Sequence, residues 1–182
     1  MYFELTIDIL FDCAIKKPDE LPSTLCLIDG ATINESIDNP FVFKTKATEG
    51  DILPDFWGNS FPAMSEKFVT LLEEAGVDNL QKFPAVVKSE IDGTVWNNYF
   101  LVNILDLIEC ADLLNSDYDE IFPGNYDFDD LAIDADKAEG ALLFRLQESP
   151  STIIIHKTVG KYIMENDPDE ELVGWDVKEI KQ

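Results

Sequence analysis

The chain is short of positive charge. Thirteen Lys and Arg stand against thirty-seven Asp and Glu in 182 residues, a formal net charge of −24. Phosphates and anionic lipid surfaces are recognised chiefly through Lys and Arg, so neither nucleic acid nor a membrane is an expected partner. Histidine is nearly missing. His156 is the only one, which rules out a multi-histidine metal site and leaves a single imidazole for acid–base work. It follows Ile153-Ile154-Ile155 with no nucleophile motif nearby, and a structural role is expected. Cysteine is scarce and odd in number. Cys13, Cys26 and Cys110 lack CxxC spacing, the pattern of reduced thiols in a cytosolic protein. The phosphate-cradling P-loop, the dinucleotide fingerprint and the nucleophile elbow are all wanting. No catalytic residue, cofactor or metal is therefore assigned. Long apolar runs are also lacking. The longest, Tyr99 to Leu114, is interrupted by Asn103, Asp106, Glu109 and Asp112, too polar for the span of about 20 apolar residues that a bilayer needs. The opening MYFELTIDIL has no basic n-region and no small-residue cleavage site, so a cytoplasmic location is expected.

What is present suits a folded globule. Hydrophobic residues make up 46% of the chain and aromatics 11%, enough for one substantial core. The expectation is a single domain over 1–182, with residues 1–50 a candidate β-rich N-terminal lobe. Phe3, Leu5, Ile7, Ile9 and Phe11 alternate with polar residues and predict a strand over 2–11. Shorter strands are predicted at Leu25–Ile28 and 41–46. Residues 81–91 and 94–105 predict two arms of a hairpin around Asp92-Gly93. Strands are expected at 141–146 and 152–156 across a turn at Ser149-Pro150, then a helix from Thr158 to Asn166, then an edge strand over 174–180. Residues 112–140 read as long and irregular. The sum is an α+β fold, mostly antiparallel sheet with two or three packed helices.

The stretch from Pro54 to Pro84 carries the clearest local signals. Ser65 is placed to cap a helix, Glu66 sits in its positive first turn, and Met64 can staple onto Val69. Phe68, Leu71, Leu72 and Ala75 form one apolar stripe, and Gly76 supplies a left-handed stop. Phe56 and Trp57 read as plugs that pack the preceding turn onto the sheet. The segments PDFW (54–57), SEKFVTLLEEAGVDNLQKFP (65–84), YFLVNIL (99–105) and LLNSDYD (113–119) occur in this order. Together they resemble the immunity protein 11 family of bacterial polymorphic toxin systems. The resemblance spans roughly 54–165, and residues 1–50 add nothing to it. It implies a cytoplasmic antidote that binds a cognate protein toxin and performs no chemistry, and it carries no fixed set of contact residues.

The acidic excess is uneven. Asp112 to Glu139 holds ten acids and one base, −9 in 28 residues, with Tyr118, Phe122, Tyr126 and Phe128 among them. Carboxylates pair with Arg and Lys, and rings supply buried area, so this run suits a basic partner. The candidate toxin-binding residues are Asp117, Asp119, Glu120, Tyr126, Asp127, Asp129, Asp130, Asp134 and Asp136. The competing reading is a solvated loop whose rings point inward. Asn125, Asp127 and Asp129 match positions 1, 3 and 5 of a calcium loop, but Asp130 replaces the required Gly and Asp136 the bidentate Glu. A basic toxin such as a nuclease fits the charge best. The alternative function is a nucleic-acid mimic that inhibits DNA-binding proteins, which needs acids spaced like phosphates.

Overall fold

The computed structural model describes residues 1–37 and 39–182. In chain order the strands are β1 (Tyr2–Ile7), β2 (Ile15–Lys16), β3 (Phe41–Thr45), β4 (Phe56–Trp57) and β5 (Ala63–Ser65). Helix α1 (Glu66–Glu74) follows, then β6 (Leu80–Ser89), β7 (Val95–Ile104), β8 (Leu107–Ile108), β9 (Asp117–Phe122) and β10 (Asn125–Asp130). The chain ends with β11 (Leu143–Leu146), β12 (Ser149–His156), helix α2 (Lys157–Asn166) and β13 (Trp175–Glu179). One sheet has the order β13-β1-β12-β11-β8, another β2-β3-β6-β7-β5-β4, and β9 and β10 form a two-stranded ribbon. Pairing is antiparallel except at β8–β11 and β3–β6, which are parallel and make both larger sheets mixed.

Helix α1 forms where its end signals lie. Ser65 is the N-cap, its hydroxyl accepting the Phe68 N–H at 3.1 Å. At the other end the Gly76 N–H donates to Glu73 O at 2.9 Å and the Val77 N–H to Leu72 O at 3.0 Å. That double closure needs a left-handed residue, and Gly76 has φ +98°. In α2 the cap is His156, whose ring nitrogen Nδ1 accepts the Thr158 N–H at 3.4 Å. The lone histidine thus serves the backbone, and burial beside the N-terminal ammonium pushes its ring below the ordinary value.

The two larger sheets share one apolar cluster with the helices. Leu5, Ile153 and Ile155 contribute from one sheet, Met64, Val102 and Ile104 from the other, and Phe68, Leu72, Val159 and Ile163 from the helices. Strand β12 is covered on both faces: Ile153 and Ile155 face this cluster, and Ile154 faces another built with Tyr2, Phe144 and Leu131. Continuous burial explains its unbroken Ile run. A third cluster joins Ile15, Leu27, Phe41 and Phe43 to Phe83, Val87 and Leu101 of the β6–β7 hairpin.

Four sequence expectations need correction. The first strand ends at Ile7, not Phe11, because Asp8 closes a turn, its side chain accepting the Leu10 N–H and its carbonyl the Phe11 N–H. Leu25–Ile28 is not a strand; Leu27 is buried from a bend. The turn between β11 and β12 falls at Gln147-Glu148, and Pro150 lies inside β12. Residues 112–140 are not irregular throughout. They contain the β9–β10 ribbon, and Leu131, Ile133 and Ala138 enter a core cluster.

Candidate functional site

Pro54 to Trp57, the first of the family-like segments, is scaffold. Pro54 O accepts the Tyr99 hydroxyl at 2.9 Å, and Phe56 is fully buried, 6.1 Å from the Phe68 ring. Asp55 ties three parts of the chain together. One carboxylate oxygen accepts the Ser65 hydroxyl in a short hydrogen bond, the other accepts the Val173 N–H at 2.8 Å, and the backbones of Asp55 and Val173 are also joined at 2.8 Å. Burial raises its carboxyl above the ordinary value, with the Ser65 and Val173 bonds pulling the other way. Gly174 packs so close to Pro54 that a Cβ there would lie 2.2 Å from the proline Cβ. This motif holds the C-terminal strand in place.

The acidic run is organised by the β9–β10 ribbon. A turn at Pro123-Gly124 joins the strands, with Gly124 at φ +80°. The register sets Tyr118 opposite Phe128, Asp119 opposite Asp127, and Glu120 opposite Tyr126, with a bulge between Phe128 and Asp130. Strand alternation therefore sorts the residues. Tyr118, Tyr126 and Phe128 share one side, half-buried, with centroids 4.9 to 6.0 Å apart. Asp117, Asp119, Asp127 and Asp129 are exposed. Ile121 and Phe122, each 60% exposed, crown the tip. The rings thus support the ribbon while Asp119 and Asp127 point to the opposite side; Glu120, opposite Tyr126, lies on the ring side. Asn125, Asp127 and Asp129 lie along a strand, so the calcium-loop register is not formed.

Six of the candidate residues are acids on the ribbon, and among the described residues only Asp130 is in an ion pair, with Lys181 at 2.5 Å. Tyr126, the seventh, is anchored by its N–H to Glu148 O at 2.8 Å. Burial raises its hydroxyl, with Glu120, Tyr118 and Glu148 adding to the effect. Asp134 and Asp136 sit apart from the ribbon on the following loop, across an open cleft of about 820 Å³. Tyr126 lines that cleft too, so the structure joins ribbon and loop there. Sequence reasoning missed three further carboxylates in the lining, Glu109, Asp112 and Glu148. Glu148 belongs to the β11–β12 turn, remote in sequence, and no local pattern marks it. Lys137 is the one cation of the lining.

Among the described residues no group of three or more His, Cys, Asp or Glu is arranged to hold a metal ion. No helix there is long and apolar enough to cross a membrane. Cys13, Cys26 and Cys110 are free thiols, and burial pushes Cys110 up to about 12, with the Glu148 charge adding.

Fold and geometry together define an α+β protein with a concentrated acidic ribbon beside an acidic cleft. Residues 11–182 match the model of the immunity protein family Imm11, and the chain belongs to that family. The match reaches well beyond 54–165, at both ends. The structure gives the reason: Pro54 and Asp55 are held by Gly174 and Val173, and the β6–β7 hairpin shares a core with Ile15 to Phe43. Among curated proteins none matches the chain.

Proposed function

We propose that the chain neutralises a protein toxin in the cytoplasm by binding it through the β9–β10 ribbon and the adjoining cleft, covering the toxin's active site. The observation that carries this reading is the set of five ribbon acids, Asp117, Asp119, Glu120, Asp127 and Asp129, without ion-pair partners among the described residues, in a member of an immunity family. Cross-strand carboxylates repel, so Asp119 and Asp127, directly opposite each other, weaken the ribbon in the free protein. A basic surface offers them compensation and speeds encounter. A toxin that handles nucleic acid carries a positive groove, so a basic nuclease fits best. The mechanism is occlusion, with no reaction catalysed by this chain.

Co-expression with the toxin encoded beside it tests the proposal. Growth should be rescued, and affinity purification should recover one basic partner at low salt and less of it at high salt. Recovery of several unrelated nucleic-acid-binding proteins, with no rescue, would favour mimicry of nucleic acid instead.

A further inference from the structure

Strand β9 has a free edge. It pairs with β10 alone among the described residues. The outer edge of β10 is engaged, because the Tyr126 N–H donates to Glu148 O at 2.8 Å. Tyr126 therefore turns its backbone away from β9, and its pair with Glu120 exchanges no hydrogen bonds. Antiparallel alternation then makes Asp119–Asp127 the bonded pair and Tyr118–Phe128 another open one. The backbone N–H and C=O groups of Tyr118 and Glu120 thus point outward, with no strand beside them among the described residues. Register shifts at Ile121 and Asp129 bound this open edge. Asp119 and Glu120 are exposed and Tyr118 is half-buried, so solvent reaches it.

Open edges commonly carry a device against chance pairing, often lysine or proline. Here the device is acid, for β9 and β10 hold no Lys or Arg. A second copy of the chain laid antiparallel along this edge would set carboxylate against carboxylate. A cationic strand meets the opposite condition. The backbone groups attract any strand, and the acids select which strand is admitted.

We propose that a basic extended segment of the toxin adds to the Tyr118–Glu120 edge as a third strand. The inference rests on the toxin-binding reading and states the form of its contact. Side-chain alternation sets what the segment carries. Its residue opposite Tyr118 is apolar or aromatic and lies on the ring side of the ribbon. The next, opposite Asp119, is Lys or Arg on the other face, and the third, opposite Glu120, is Lys or Arg on the ring side. Ile121 and Phe122, both exposed, extend the surface with apolar area.

Two experiments on the intact protein decide it. The first is amide hydrogen exchange read by NMR, with and without the purified toxin. In the free chain the Tyr118 and Glu120 amides should exchange fast, and the Asp119 amide, bonded in the ladder, more slowly. With toxin bound, Tyr118 and Glu120 should slow by at least about tenfold. Protection of these two amides in the free chain, growing with protein concentration, would mean that a second copy closes the edge, and would overturn the inference. The second experiment compares two variants. The Glu120 N–H lies outside the ladder, so Glu120→Pro removes the outward donor and spares the β9–β10 bonds. It should weaken toxin binding about tenfold beyond Glu120→Ala, which loses the carboxylate alone. Equal affinity of the two folded variants overturns strand addition. If the proline variant does not fold, the exchange measurement decides. Tyr118 and Glu120 amides that exchange as fast with toxin bound as without it would make strand addition wrong while toxin binding stands. If the wild-type chain binds no toxin, both fall.

Discussion

Asp119 and Asp127 stand directly opposite each other across the β9–β10 ladder, and neither is in an ion pair with any of the described residues. Like charges so placed weaken a two-stranded ribbon, whereas an opposite pair supports it. Asp119→Lys should therefore make the free protein slightly more stable, a rise in Tm on the order of 1–3 °C. Thermal unfolding checks this. A fall in Tm would show that the aspartates are held by contacts other than the ladder.

Gly174 is where the family motif meets the end of the chain. Its φ is +76°, and a Cβ would lie 2.8 Å from Pro54 Cα as well as 2.2 Å from Pro54 Cβ. Proline backbone has no room to yield. Gly174→Ala should cost about 2–4 kcal/mol, combining a left-handed backbone with overpacking. Gly93→Ala, with positive φ but open space around it, should cost less. Chemical denaturation of both variants measures the difference, and equal losses would mean that the Pro54 contact is unimportant.

Asp55 gives a pH signature. Its carboxyl is raised in the folded chain, chiefly by burial, so folding favours the protonated form. Stability from this group is present in acid and is lost as pH rises from the ordinary carboxylate value through the raised one. Asp55→Asn is neutral at every pH and has no such loss. The stability of wild type relative to Asp55→Asn should therefore decline across that window. A difference that stays flat from acid to neutral would contradict the raised value.

Arg145 is a buried cation with no anion paired to it among the described residues. It is 0% exposed, donates to Pro150 O at 2.9 Å, and leaves Nε and Nη2 unpartnered. Burial pulls its guanidinium down to about 10. Apolar replacements of buried charges are often neutral or stabilising, so Arg145→Met should leave stability unchanged or raise it, by up to about 4 kcal/mol. A large loss of stability would show that the arginine bonds hold β11 to β12.

Much of the scaffold was legible because its signals are local. Ser65 and Gly76 bracket α1, Asp167-Pro168 stops α2, and the apolar arms around Asp92-Gly93 specify the β6–β7 hairpin. The hairpin loop is longer than a two-residue turn, running from Glu90 to Thr94, with the Asp92 side chain accepting the Thr94 N–H at 3.0 Å. The ribbon escaped detection because its alternation is acid with aromatic, as in Asp117-Tyr118-Asp119 and Asp127-Phe128-Asp129. Aspartate is a poor strand former, and the charge masked the period. The candidate acids were legible from charge alone, but their division between ribbon and cleft was not. Glu148 enters the cleft only through the β11–β12 turn, and no spacing in the sequence brings it near Tyr126 or Ala111. The short strands β2, β4, β5 and β8 are fixed by their sheet neighbours and carry too few residues for a pattern.

The most direct test is the affinity of the purified toxin for the wild-type chain and for Asp119→Lys/Asp127→Lys, measured across a range of salt concentrations. Reversing both aspartates leaves like charges opposed, so the ribbon should fold much as before. The account predicts affinity weaker by at least about tenfold and a shallower dependence on salt, with far-UV circular dichroism unchanged. Equal affinity and an equal salt slope for the two proteins would contradict it.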